Sequence, residues 1–268
     1  MTIKAVLFGS IGTIIETSDI QRNCFNQAFQ KVGLNWYWSK KIYKSMLKKP
    51  GGEKRVRKYS LENNTSTNAK KIRNLKTLIF NNYLKKNKIK PRPGVLDIIS
   101  YCKRNKIKIG FATSTTKNNI DSVFLSTVKY LKKKDFNYIG NTTGNKNTKS
   151  KLEVYKHCLK KLKLKNDECI AIEDTEISLK SAVKAKIKCI AFPGDFHTDS
   201  KFKNSHIRVR KLKTGLIFNY SESIKSGAIF LDFDENLSFF IASRFDLSSP
   251  TTTKPIIPIF LWGVHQYA

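Results

Sequence analysis

The side chains able to do chemistry gather at the ends of short apolar runs. Cys169-Ile170-Ala171-Ile172 leads into Glu173-Asp174-Thr175, with Ser178 and Ala182 beyond. Paired carboxylates at a strand end suit Mg²⁺, a hard cation that prefers oxygen ligands in octahedral geometry. An Asp at that position also caps the backbone N–H groups of a following helix, and the pattern leaves both readings open. A second cluster is Lys49-Pro50-Gly51-Gly52-Glu53-Lys54-Arg55. Two glycines let the backbone approach an anion closely, and Arg55 can hold phosphate bidentately. An interhelical turn with solvated charges accounts for the same residues. His197, in a loop after Pro193-Gly194, is placed to line a site, whereas His157 lies on a lysine- and leucine-rich helix and reads as a surface residue.

These residues need a scaffold. Ala5-Val6-Leu7-Phe8, ended by Gly9, reads as a strand buried on both faces. From Ile20 to about Lys90 the apolar spacing turns helical, broken by the loop signal at Pro50-Gly51-Gly52 and stopped by Pro91-Arg92-Pro93-Gly94. Strand and helix patterns then alternate: strands at Ile107 to Ala112, Phe136 to Ile139, Cys169 to Ile172 and Cys189 to Phe192, with helices between. Such alternation predicts a doubly wound, mostly parallel α/β sheet. Ligands of such sheets bind beyond the carboxyl ends of the strands. That directs attention to Gly9 to Thr13, Thr113 to Thr116 and Glu173 to Thr175. From residue 199 the chain reads as an appended extension, in which Ile207 to Leu212 and Gly215 to Phe218 are expected to be short strands.

With 51 Lys and Arg against 20 Asp and Glu, the net charge is +31. The field of such a chain attracts polyanions, and some nonspecific nucleic-acid affinity at low salt is expected. The lysines, however, are spread along the chain with Asn and Ile, and form neither a basic arm nor an aromatic-basic RNA signature. The apolar runs are too short or too broken for a membrane span or a signal peptide. Five scattered cysteines fit a reducing, cytoplasmic setting.

Four segments in register over Thr2 to His197 resemble the haloacid dehalogenase superfamily, in its β-phosphoglucomutase-like branch with the CbbY-type sugar phosphate phosphatases. The first is Phe8-Gly9-Ser10-Ile11-Gly12-Thr13-Ile14, followed by Glu16-Thr17 and by Arg22, Phe25, Asn26 and Phe29. The others are Ile109 to Thr115, Lys149 ahead of Glu153-Val154-Tyr155, and Cys169 to Thr175. The resemblance implies a core of residues 1–15 and 91–198, a helical cap of residues 16–90, and an extension of residues 199–268.

For the site, the resemblance implies Thr113 as a hydroxyl donor to phosphate with Ser114 beside it, and Lys149 as the charge-neutralising lysine with Lys146 and Lys151 as rivals. It also implies Gly51, Gly52, Lys54 and Arg55 as a sugar-phosphate grip, and Asp174 as a Mg²⁺ ligand with Glu173 direct or water-mediated. The departure lies in the first segment, where Gly9 replaces the aspartate nucleophile and Ile11 the aspartate acid/base. Ser10, on strand alternation, should face away from the missing carboxylate. Asp232-Phe233-Asp234, after an apolar run, resembles the lost pair but lacks its Gly-Thr turn and reads more simply as an acidic strand end. The expected function is a hydrolase-class protein for small phosphorylated sugars with altered or lost chemistry. Two alternatives are a noncatalytic phospho-ligand-binding or regulatory protein and a lysine-rich polyanion binder.

Overall fold

The computed structural model describes residues 2–49, 51–140, 150–218, 228–233 and 237–242. Residues 1–222 form one unit and residues 223–268 another. The first unit is built on a six-stranded, entirely parallel sheet in the order β3-β2-β1-β4-β5-β6. The strands are β1 (Ala5–Phe8), β2 (Lys108–Phe111), β3 (Tyr138–Ile139), β4 (Cys169–Glu173), β5 (Lys188–Ala191) and β6 (Ile207–Arg208). Because β1 pairs with both β2 and β4, the loops after these three strands open side by side.

Alternation along the central strands feeds two cores. Val6, Phe8, Ile109, Phe111, Ile170 and Ile172 pack on one face with helices α6 (Val95–Arg104) and α7 (Lys117–Ser126). Ala5, Leu7, Cys169 and Ala171 pack on the other with α8 (Lys151–Leu162) and α9 (Glu176–Lys184). Helices on both faces explain why the strands read as continuous apolar runs. All five cysteines are free and buried within this packing, with burial raising Cys24 to about 11 and Cys102 to about 12.

Between β1 and α6 the chain forms α1 (Ile11–Ile14), α2 (Ser18–Lys31), α3 (Lys40–Met46), α4 (Gly52–Glu62) and α5 (Ala69–Lys86). Helices α2 to α5 close over an aromatic core of Phe25, Phe29, Trp38 and Tyr43. Arg22 and Asn26 serve it structurally: the Asn26 amide accepts from the Trp38 N–H at 2.8 Å, and the Arg22 guanidinium donates to the Trp38 carbonyl at 2.9 Å.

The segment expected to start an extension at residue 199 belongs in part to the core. β6 pairs with β5, and Val209, Leu212 and Ile217 are buried in the first core. Gly94, at φ +82°, lets this segment cross, because a Cβ there would overlap the Leu212 carbonyl. Residues Gly215 to Phe218, expected as a strand, lie in α10 (Thr214–Phe218), since an apolar run this short carries no decisive period. In the second unit β7 (Ala228–Phe233) and β8 (Leu237–Ala242) form an antiparallel pair in which Asp232 stands opposite Ser238. Asp234 lies outside the described residues.

Arg92, between the two prolines that end the cap, ties the loops together. Its guanidinium donates to the carbonyls of Gly12 (2.7 Å), Phe192 (2.9 Å) and Pro193 (2.5 Å) and lies 3.5 Å from the Phe192 ring centroid. Arg92→Ala, which leaves three carbonyls short of a donor, is expected to lower unfolding free energy by about 2–4 kcal/mol in chemical denaturation. Arg92→Lys should recover only part of this, since one ammonium cannot reproduce a planar fork.

Candidate phosphate-binding cleft

The turn after β1 sets the site. Gly9 still bonds as a strand residue, its N–H donating to the Ile172 carbonyl at 2.9 Å. Ser10 then leaves the pleat to start α1, and its hydroxyl donates to Asp174 Oδ1 at 2.6 Å. Ser10 therefore faces the site, contrary to the expectation from alternation, because the strand has already ended at Phe8. On the other side of the Asp174 carboxylate, Gly12 leaves the necessary room: a Cβ there would overlap Asp174 Oδ2.

Glu173, the last residue of β4, points below this floor and is fully buried. The Tyr155 hydroxyl donates to its Oε1 at 2.7 Å, and the Lys151 ammonium lies 3.2 Å from the same oxygen. Oε2 has no hydrogen-bond partner among the described residues. Burial pushes Glu173 up to about 7 against the opposing pull of Lys151. A Cβ built on Gly9 would overlap Oε1 and Cδ of Glu173 and come within 2.5 Å of the Tyr155 hydroxyl. The space in which a side chain at position 9 would begin is therefore filled.

Lys151 starts α8, donates to the Ala112 carbonyl at 2.8 Å and lies 5.3 Å from the Tyr155 ring centroid. It is the lysine that the described residues bring to the strand ends; Lys146 and Lys149 lie outside them. Lys151 was legible only as a rival, because the surrounding run of lysines offers several registers. Sequence reasoning missed Arg92 as a bracing residue, its one signal being an arginine between two boundary prolines.

Above this floor, cap and core enclose a cleft of about 470 Å³. Thr113, Ser114, Thr115 and Asp174 line it from the strand ends. Thr113 is nearly buried, and its Oγ1 accepts from the Thr115 N–H at 3.3 Å. From the cap come Gly51 and Arg55, while His197 lines the cleft from the loop after β5. Gly51 has φ +103°, which a side chain would strain. The Arg55 guanidinium lies 5.7 Å from the Tyr43 ring centroid and donates to the Lys49 carbonyl at 3.1 Å. Its Nε is buried without a hydrogen-bond partner among the described residues. Burial lowers the His197 pKa against the pull of Asp174 and Glu16.

Among the expected residues, Ile11, Gly51, Arg55, Thr113, Ser114 and Asp174 meet at the cleft. Lys54 is exposed and Gly52 packs toward Phe25, so neither lines it. His157 pairs with the Tyr138 hydroxyl at 2.9 Å. Of the expected Mg²⁺ pair, Asp174 lines the cleft with Oδ1 accepting from Ser10, whereas Glu173 turns into the space beside Gly9 and does not reach it.

A parallel sheet whose central strand ends open beneath an inserted set of helices defines a capped α/β scaffold with its ligand cleft at the switch between strands. Residues 6–192 match the family of haloacid dehalogenase-like hydrolases, and the chain belongs to that family. Protein CbbY of Rhodobacter capsulatus is 29% identical over 215 residues, covering 79% of this chain and 95% of its own. The crystal structure of CbbY from Rhodobacter sphaeroides in complex with phosphate has a TM-score of 0.68 at 25% identity, over 78% of this chain and 94% of that one. β-Phosphoglucomutase from Clostridium difficile shares the fold, with a TM-score of 0.64 at 23% identity over 83% and 99% of the two chains. These relatives place the chain in the CbbY and β-phosphoglucomutase branch.

The overlap at position 9 has a measurable consequence. Gly9→Ala is expected to lower unfolding free energy by about 1–3 kcal/mol, as overpacking does in a filled core. In a Glu173→Ala background most of that loss should vanish, so a double-mutant cycle reads the contact. Additive losses would contradict it.

Proposed function

We propose that this chain binds a small phosphorylated ligand of the sugar-phosphate class between cap and core, and does not hydrolyse it through an aspartyl phosphate. The observation that carries this reading is that position 9 bears no side chain and its space is filled, while hydroxyls and a guanidinium still line the cleft above. Covalent phosphoryl transfer needs a nucleophile within reach of phosphorus. Glycine supplies none, and the Ser10 hydroxyl is spent on Asp174. Ile11 cannot move a proton, a task worth roughly 10²- to 10⁴-fold in rate.

Binding asks less. Thr113 and Ser114 offer hydroxyl hydrogens, and Arg55 brings a guanidinium for charge-assisted hydrogen bonds. Two crystal structures of a relative support the ligand class: CbbY from Rhodobacter sphaeroides holds phosphate in one, and a mutant of the same protein holds xylulose-(1,5)bisphosphate in the other.

Isothermal titration with inorganic phosphate and a panel of sugar phosphates tests the reading. Saturable binding is expected, with Thr113→Ala and Arg55→Ala each weakening it about tenfold, near 1.4 kcal/mol. No binding at millimolar ligand, or binding indifferent to both substitutions, would sink it.

A further inference from the structure

Outside the cleft, a second cavity of about 520 Å³ opens between cap and core, within the range of roughly 300–1,000 Å³ that small-molecule sites occupy. The cap lines it with α3 and the residues just after it, and the core with the first turn of α9 and the segment following β5. Leu47, Thr175 and His197 line both cavities and form the partition between them.

The chemistry on the far side of that partition is different. Leu47, Ile177 and Phe196 give it an apolar surface, and Ile177 is 37% exposed although it is a large aliphatic residue at the start of α9. Phe196 meets Tyr43 of α3 edge-on, with ring centroids 6.0 Å apart, so the two walls are already in contact. Five lysines line this cavity against two carboxylates. Asp199 takes Lys44 at 2.6 Å, and Glu176 takes Lys180 at 3.2 Å. Lys41 and Lys48 on the cap side and Lys201 on the core side are exposed and pair with no carboxylate among the described residues. Positive charge therefore stands unmet on both walls.

An occupant that matches must be anionic and must also cover apolar surface. A second copy of this chain, at +31, is repelled. A bare phosphate satisfies the lysines and leaves the apolar surface wet. A flat ring carrying phosphate groups meets both demands, the ring by packing and the phosphates through lysines acting as point charges. We propose that this cavity is a second ligand site for a small nucleotide-class anion, whose ring lies on Leu47, Ile177 and Phe196 and whose phosphates reach Lys41 and Lys48 of the cap and Lys201 of the core. It does not rest on the phosphate reading of the cleft, whose lining includes none of these lysines.

Isothermal titration of adenosine diphosphate into the full chain, at about 0.15 M salt to screen nonspecific attraction, tests the site. Expected is one site per chain that excess inorganic phosphate does not displace, with adenosine and pyrophosphate each bound at least about tenfold more weakly, because each lacks half of the match. Lys48→Glu combined with Lys201→Glu should weaken adenosine diphosphate about tenfold or more, while the same reversal at Lys160 and Lys161, exposed on α8, should change it less than about twofold. Ile177→Asp should weaken it comparably with every lysine in place. No saturable binding at millimolar adenosine diphosphate, displacement by inorganic phosphate, pyrophosphate bound as tightly, or equal losses in the two charge-reversed pairs overturns the proposal. The cleft reading stands or falls separately, on Thr113→Ala and Arg55→Ala.

Discussion

The carboxyl of Glu173 occupies the volume into which any side chain at position 9 would grow. A buried carboxylate is tolerated only when partners meet its charge. Here Tyr155 and Lys151, both on α8, meet it at one oxygen. Glycine at position 9, the placement of α8 against β1 and β4, and the depth of Glu173 at the end of β4 are therefore one coupled arrangement. Altering any of them exposes either an overlap or an unpaired charge, and burial raises the pKa of Glu173 against the pull of Lys151.

Above this packed floor lies the cleft between cap and core, lined by hydroxyls from the loop after β2 and by a glycine turn and a guanidinium from the cap, while Arg92 braces the neighbouring loops through three carbonyls. Holding an anion needs donors and positive charge; breaking its phosphorus–oxygen bond by covalent catalysis needs a nucleophile and a proton carrier as well. The two requirements reside in different residues, so the second can be lost while the first remains. Membership of the haloacid dehalogenase-like hydrolases fixes the scaffold, and positions 9 and 11 carry glycine and isoleucine where the resemblance implies aspartates.

The parallel sheet and the cleft-facing positions were legible because buried strands are short apolar runs and because loops after β1, β2 and β4 carry the polar residues. Thr113, Ser114 and Asp174 followed from that register, and Arg55 from the glycine pair before it in the cap. Three features escaped it for separate physical reasons. Ser10 turns toward Asp174 because it lies beyond the end of the strand at Phe8, where alternation no longer applies. Lys151 was one of several lysines in a run that spacing cannot rank. The direction of the Glu173 side chain depends on a void at Gly9, some 164 residues away in sequence, which becomes visible only when the strands are paired. Likewise, Leu212 enters the core because Gly94 admits its carbonyl, a contact without any local sequence signal.

The most direct test of the claim that binding persists without turnover is a single-turnover assay, with the protein in excess over a radiolabelled sugar phosphate in Mg²⁺-containing buffer. The account predicts ligand retained on the protein, with phosphate release no faster than in the protein-free control. Release that follows protein concentration and disappears in Thr113→Ala would contradict it, and would require a nucleophile other than the side chain missing at Gly9.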